Sequence, residues 1–63
     1  MKREIKVWET VETVTVVSTD QEGVYHVTWH RSEGPAEEFH VTPAKGDTVE
    51  EAIAKDLRTR MGP

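Results

Sequence analysis

Hydrophobic and polar positions alternate along most of the chain up to residue 42, and the alternation predicts β-strands. Val, Ile, Thr and Trp dominate residues 2–19, where Gly, Pro, Asn and Asp do not occur, which favours one long strand. The apolar positions in this stretch change phase, since Ile5 and Val7 are odd-numbered whereas Val14 and Val16 are even-numbered. Because a continuous strand keeps one parity on each face, we expect a bulge or bend between Glu9 and Thr13.

Two turns separate this stretch from two further strands. Asp20–Gly23 is the first turn, and Gly23 suits the left-handed backbone conformation that such loops need. The second strand, 24–31, carries an apolar row at odd positions. After a turn at Ser32–Pro35, the third strand runs over 36–42. Loops of four and three residues set the strand registers, which place these pairs opposite each other: Thr13 and His30, Thr15 and Thr28, Val17 and His26, His26 and His40, Thr28 and Glu38.

The C-terminal segment predicts an amphipathic helix over residues 48–61. Thr48 and Glu51 have the spacing of a capping box, in which each side chain satisfies a backbone N–H of the other residue. Acidic residues occupy the first turn and basic residues the last, which complements the helix dipole. The apolar residues follow helical spacing and form one stripe: Val49, Ala52, Ile53, Leu57 and Met61.

These elements predict an α+β fold in one domain, 1–63: a three-stranded antiparallel β-meander with one C-terminal α-helix packed on one face. A chain of 63 residues buries only about 60% of the surface that its unfolded form exposes, so its stability is expected to be marginal. The expected core consists of Val14, Val16, Tyr25, Val27, Trp29, Phe39 and Val41 beneath Val49, Ile53 and Leu57.

The net charge of −4 conceals a strongly acidic middle of the chain. Residues 9–51 contain ten acidic residues against Arg31 and Lys45, and the two ends of the chain are basic. An acidic segment repels phosphate backbones, so nucleic acid is an unlikely partner. The chain has no cysteine and no apolar run of membrane-spanning length, which predicts a cytoplasmic protein that does not enter a membrane.

Three histidines are the only candidates for site chemistry. His26, His30 and His40 are all expected on the sheet face away from the helix, among threonines and Glu38. Paired imidazoles can bind zinc-class ions or sense protons, but a solvated polar sheet face has the same composition, and we favour that interpretation. The sequence lacks a nucleophile with a local base, a phosphate-binding glycine loop and a paired-carboxylate motif. It therefore predicts a non-enzyme with no cofactor and no metal.

The N-terminal strand is expected to be longer than its neighbour, so that residues 4–11 have no partner within the chain. A long apolar strand with an open edge invites pairing with another chain. We therefore expect a protein partner or a homodimer through this strand, the alternative being that it bends sharply and returns over the helix side. The expected partner-binding residues are Ile5, Val7, Trp8 and Val11, with Glu37 and Glu38 from the acidic surface.

Two motifs stand at the first turn and at the helix start: Asp20, Glu22, Gly23 and Tyr25, and then Gly46, Asp47, Thr48, Glu50, Glu51 and Ala52. With these motifs, about residues 14–57 resemble the partner-binding domain of HicB-like antitoxins. The resemblance implies a degenerate RNase H-like sheet that blocks a small toxin ribonuclease and self-associates. The family's Pro-x-Leu-Pro-Gly-Cys turn is replaced here by residues 31–37.

Three classes of function remain open from the sequence. The first is a non-catalytic protein-binding module, antitoxin-like or otherwise, that uses an open strand edge and an acidic surface. The second is an acidic inhibitor that imitates nucleic-acid charge, which needs its acids on one continuous face. The third is a small nucleic-acid-binding sheet that uses Arg31, Lys45 and the basic ends of the chain.

Overall fold

The computed structural model describes residues 1–62 and shows four strands and one helix. The strands form one antiparallel sheet in the order β1-β2-β3-β4, and the helix packs on one face of it. The α+β class and the C-terminal helix are confirmed, but the sheet has four strands and not three. The elements are β1 (Lys2–Val7), β2 (Thr10–Ser18), β3 (Tyr25–His30), β4 (Glu37–Val41) and α1 (Val49–Met61).

The expected long first strand is a β-hairpin. Val7 pairs with Thr10, which leaves Trp8 and Glu9 as a two-residue turn. Trp8 has a φ of 52°, in the left-handed region where glycine normally occupies the first position of such turns. Opposite residues of a hairpin share a face, so odd positions of β1 and even positions of β2 point to the same side. The hairpin therefore explains the change of phase, and the bulge or bend between Glu9 and Thr13 was the wrong interpretation.

The predicted pairings among β2, β3 and β4 are confirmed. Thr15 lies opposite Thr28, His26 opposite His40, and Thr28 opposite Glu38. The Thr19 N–H donates to the Val24 carbonyl over 3.3 Å and closes the four-residue turn. Gly23 within that turn has a φ of 82°, the left-handed conformation that the sequence predicts there.

Helix α1 begins at the predicted cap. Thr48 Oγ1 accepts from the Glu51 N–H, and Glu51 Oε1 accepts from the Thr48 N–H, each over 3.1 Å. Ile53 and Leu57 are completely buried beneath the sheet. Arg3 of β1 forms an ion pair with Glu50 in the first turn of the helix, which also links the N-terminal strand to the C-terminal helix.

The core contains two residues that were expected to bind a partner. Ile5 and Val7 are 4% and 0% exposed and lie in the same cluster as Val14 and Ile53. The premise that residues 4–11 have no partner within the chain is wrong, because residues 2–7 pair with 10–15. Val16, Tyr25 and Val49, expected in the core, are partly buried at its margin. The buried set is Ile5, Val7, Val14, Val27, Trp29, Phe39, Val41, Ile53 and Leu57.

Substitutions at a buried and at an exposed position test the observed core. Ile53→Val removes one methylene from a fully buried site and should lower the free energy of unfolding by about 1 kcal/mol. For a domain of this size that loss lowers Tm by about 4–8 °C. Val17 is half exposed, so Val17→Thr should change stability by less than about 0.5 kcal/mol. Thermal unfolding followed by circular dichroism measures both, and equal effects would contradict the observed burial.

The positive φ at Trp8 leads to a second prediction about stability. Trp8→Gly and Trp8→Val both remove the indole, so their comparison isolates the response to a positive φ. Because a β-branched residue is strained there and glycine is not, the glycine variant should be more stable by about 1 kcal/mol. Urea titration of both variants tests the difference. A valine variant as stable as the glycine variant would show that the turn does not hold this conformation.

Candidate interaction surface

The outer side of β1 is an open strand edge. Val16 N–H donates to the Met1 carbonyl over 2.8 Å, and the Met1 amine donates back to the Val16 carbonyl over 2.6 Å. Opposite residues in an antiparallel ladder alternate between pairs that exchange both hydrogen bonds and pairs that exchange none. The backbone groups of Lys2, Glu4 and Lys6 therefore point away from β2. Within residues 1–62, no strand lies on that side of β1.

The side chains along this edge are charged on one face and, apart from Arg3, apolar on the other. Lys2, Glu4 and Lys6 are exposed on the face away from the helix, whereas Ile5 and Val7 point into the core. Lysine on an edge strand discourages indiscriminate pairing with other strands. A partner at this edge would thus meet backbone hydrogen-bonding groups and alternating charges, and not the apolar side chains that the sequence suggested.

The sheet face away from the helix, which we call the open face, is broad and nearly neutral. Val11 and Val17 are 60% and 50% exposed there. Three threonines of the central strands occupy its middle, and the charges of Lys2 and Lys6 balance those of Glu4 and Glu38 with the histidines neutral. The open face consists of Lys2, Glu4, Lys6, Val11, Thr13, Thr15, Val17, His26, Thr28, His30, Glu38 and His40.

The three histidines share the open face, as predicted, but they do not converge on one point. His26 and His40 are cross-strand neighbours with ring centroids 5.1 Å apart. His26 Nε2 lies 2.8 Å from Glu38 Oε1, whereas His30 Nε2 lies 2.6 Å from Thr15 Oγ1. The described part of the chain contains no group of three or more His, Asp or Glu side chains placed to hold a metal ion. The imidazoles thus make only local contacts on this face, which are polar for His26 and His30 and a ring contact for His40.

Glu37 and Glu38 lie on opposite faces of β4, three strands away from β1. Glu37 Oε2 is 3.5 Å from Arg31 Nη1, and its Oε1 is 3.3 Å from Arg60 Nη1. The Arg60 guanidinium also stacks 4.1 Å from the centre of the Phe39 ring and bonds Asp56. Glu37 therefore fastens the end of α1 to the sheet, a contact between distant residues that the sequence pattern did not show.

Trp8 is exposed at the end of the β1–β2 hairpin. Its side chain is 52% exposed and borders a shallow groove at the C-terminal end of α1. Lys55, Arg58 and Thr59 form the opposite side of this groove. The sequence predicted Trp8 as a partner-binding residue, but its proximity to the helix depends on the hairpin and does not follow from the sequence pattern. The structure therefore does not gather the six expected partner-binding residues into one surface.

The acidic residues are divided between the two ends of the sheet. The β2–β3 turn and the start of α1 lie at one end, with Asp20, Glu22, Asp47 and Glu51. Glu9 and Glu33 lie in the turns at the other end. Several other carboxylates bond groups of the same chain, including Glu12, whose Oε1 accepts from Trp29 Nε1 over 2.9 Å. The acids thus do not form one continuous face of the kind that imitates a nucleic-acid backbone.

Comparisons with known proteins add no relative. No family model, curated protein or solved structure matches this chain. The resemblance of residues 14–57 to the partner-binding domain of HicB-like antitoxins therefore stays a prediction. Within residues 1–62, no helix is long and apolar enough to cross a membrane.

The positions of Glu37 and Glu38 predict different effects of removing each charge. Glu37→Gln weakens contacts to two arginines, so the free energy of unfolding should fall by about 1 kcal/mol at low salt. Because salt screens ion pairs, this loss should be smaller in about 1 M salt. Glu38→Gln on the open face should change stability by less than about 0.5 kcal/mol. Thermal melts of both variants at the two salt concentrations measure this. Equal melting temperatures would mean that the Glu37 contacts do not stabilise the fold.

Proposed function

We propose that this chain is a non-catalytic protein-binding module that acts through the outer edge of β1. The observation that carries the proposal is the set of outward-pointing backbone groups at Lys2, Glu4 and Lys6. An exposed strand edge offers a row of N–H and C=O groups, and an added strand satisfies them while side-chain pairs supply specificity. Here the specificity would come from the alternating charges, since the apolar side chains of β1 are buried.

The other edge of the sheet is less suited to strand addition. β4 has five residues against six in β1, and prolines at positions 35 and 43 flank it. By the same alternation of hydrogen bonds, its outward-pointing groups belong to two residues, Glu38 and His40, against three in β1. Strand addition at β1 would therefore give the longer ladder.

The two other classes of function have less support. An acidic inhibitor that imitates nucleic acid needs its carboxylates on one face, and here they are divided between two ends of the sheet. A nucleic-acid-binding sheet needs a positive surface, whereas the open face is nearly neutral and the whole chain has a net charge of −4. An antitoxin-like role and a cytoplasmic location fit a protein-binding module and stay expectations from the sequence.

A proline at an outward-pointing position tests the proposed mode of binding. Glu4→Pro removes an N–H that points away from β2, so the β1–β2 ladder should persist, because edge strands tolerate proline at such positions. Glu4→Ala removes the same side chain and keeps the N–H. Circular dichroism should show both variants folded.

The binding measurement uses lysate proteins and then purified ones. Proteins retained by the immobilised wild-type chain are identified, purified and titrated against the wild type and both variants. We expect the Glu4→Pro variant to lose binding and the Glu4→Ala variant to keep most of it, since the backbone supplies the affinity. Equal binding by the proline variant, or no saturable binding by any purified protein including a second copy, would contradict the proposal.

A further inference from the structure

We propose that β1 pairs with β1 of a second copy of this chain, antiparallel and with Ile5 opposite Ile5. This register places Glu4 of each copy opposite Lys6 of the other copy. The inference deepens the proposed function and rests on it, because it names the occupant of the same open edge. It is drawn from the alternation of charges along β1 and from the direction of its backbone groups.

The backbone allows few registers for such a pair. Residues that exchange hydrogen bonds across the new contact must both point outward, so Lys2, Glu4 and Lys6 can lie only opposite one another or opposite other even positions. The two-fold axis of the pair then passes through position 3, 4 or 5. An axis at position 6 joins only residues 5–7 of each strand and sets Lys6 opposite Lys6, so that register is excluded.

Charge selects one of these three registers. An axis at Glu4 sets Glu4 opposite Glu4 and Lys2 opposite Lys6, and like charges directly opposite each other are destabilising. An axis at Arg3 sets Lys2 opposite Glu4 but also Arg3 opposite Arg3, and it leaves Lys6 beyond the paired region. An axis at Ile5 gives two Glu4–Lys6 pairs and no opposed like charges along β1.

The pairing would join the two molecules without disturbing either core. Ile5 and Val7 stay beneath the helix of their own chain, since the added strand lies in the plane of the sheet. The joined sheet has eight strands, both α1 helices lie on one side of it, and the two open faces become one surface. Four backbone hydrogen bonds and two ion pairs bury little area, so we expect weak association, with a dissociation constant in the micromolar to millimolar range.

Charge reversal tests the register directly. Sedimentation equilibrium of the purified chain at concentrations up to about 1 mM should show a monomer–dimer equilibrium. Glu4→Lys and Lys6→Glu each convert both ion pairs into repulsions, so each should weaken dimerisation by about tenfold or more. The double variant, Glu4→Lys with Lys6→Glu, restores both pairs with exchanged signs and should dimerise like the wild type.

Two control variants separate this register from its competitors. Lys2→Glu should leave dimerisation unchanged, because Lys2 has no charged residue opposite it when the axis lies at Ile5. It would weaken a dimer with the axis at Arg3 and strengthen one with the axis at Glu4, and either result would overturn the proposal. Glu38→Lys reverses a charge on the β4 edge and should also have no effect.

Other outcomes have defined meanings. A wild-type chain that stays monomeric at about 1 mM, or a double variant that does not recover, would overturn the self-pairing. The proposed function would still stand if another purified protein binds the wild type and Glu4→Ala but not Glu4→Pro. Circular dichroism of each variant confirms that weakened association does not come from unfolding.

Discussion

The pairing of β1 with β2 is the interaction on which the rest of this structure depends. It closes through a two-residue turn at Trp8 and Glu9, and it brings Ile5 and Val7 over the helix beside Val14. Without β1, the helix would cover a three-stranded sheet and Ile53 would lose neighbours from its cluster. In a domain of this size, where stability is a small difference between large terms, two fully buried aliphatic side chains are a substantial part of the core.

The same pairing creates the candidate interaction surface. By turning back on β2, the N-terminal segment becomes an edge strand, and its alternate backbone groups face outward. Ile5 and Val7 enter the core while the even-numbered side chains, Lys2, Glu4 and Lys6, stay exposed. One six-residue strand thus supplies both core packing and a charged edge, and the charges limit which strands could pair with it.

The remaining polar groups of the molecule mainly hold the fold together. Arg3 and Glu50 link the start of β1 to the start of α1, and Arg60 and Glu37 link the end of α1 to β4. Such exposed ion pairs contribute little individually, and here they connect both ends of α1 to the sheet. The histidines make no comparable link, because His26 and His30 bond neighbours on the same sheet face and His40 packs beside the His26 ring.

The sequence by itself determined the elements whose signals are local. Period-two alternation and glycine-containing turns specify β3, β4 and the part of β2 that pairs with β3, and the capping box and apolar stripe specify α1. The tertiary structure alone decided what residues 2–11 do. A bulge and a two-residue hairpin change the phase of an alternating pattern in the same way, and this hairpin contains none of the residues that normally mark a turn. Only the burial of Ile5 and Val7 against α1, a contact between segments nearly fifty residues apart in the chain, favours the hairpin strongly enough to hold Trp8 at a positive φ.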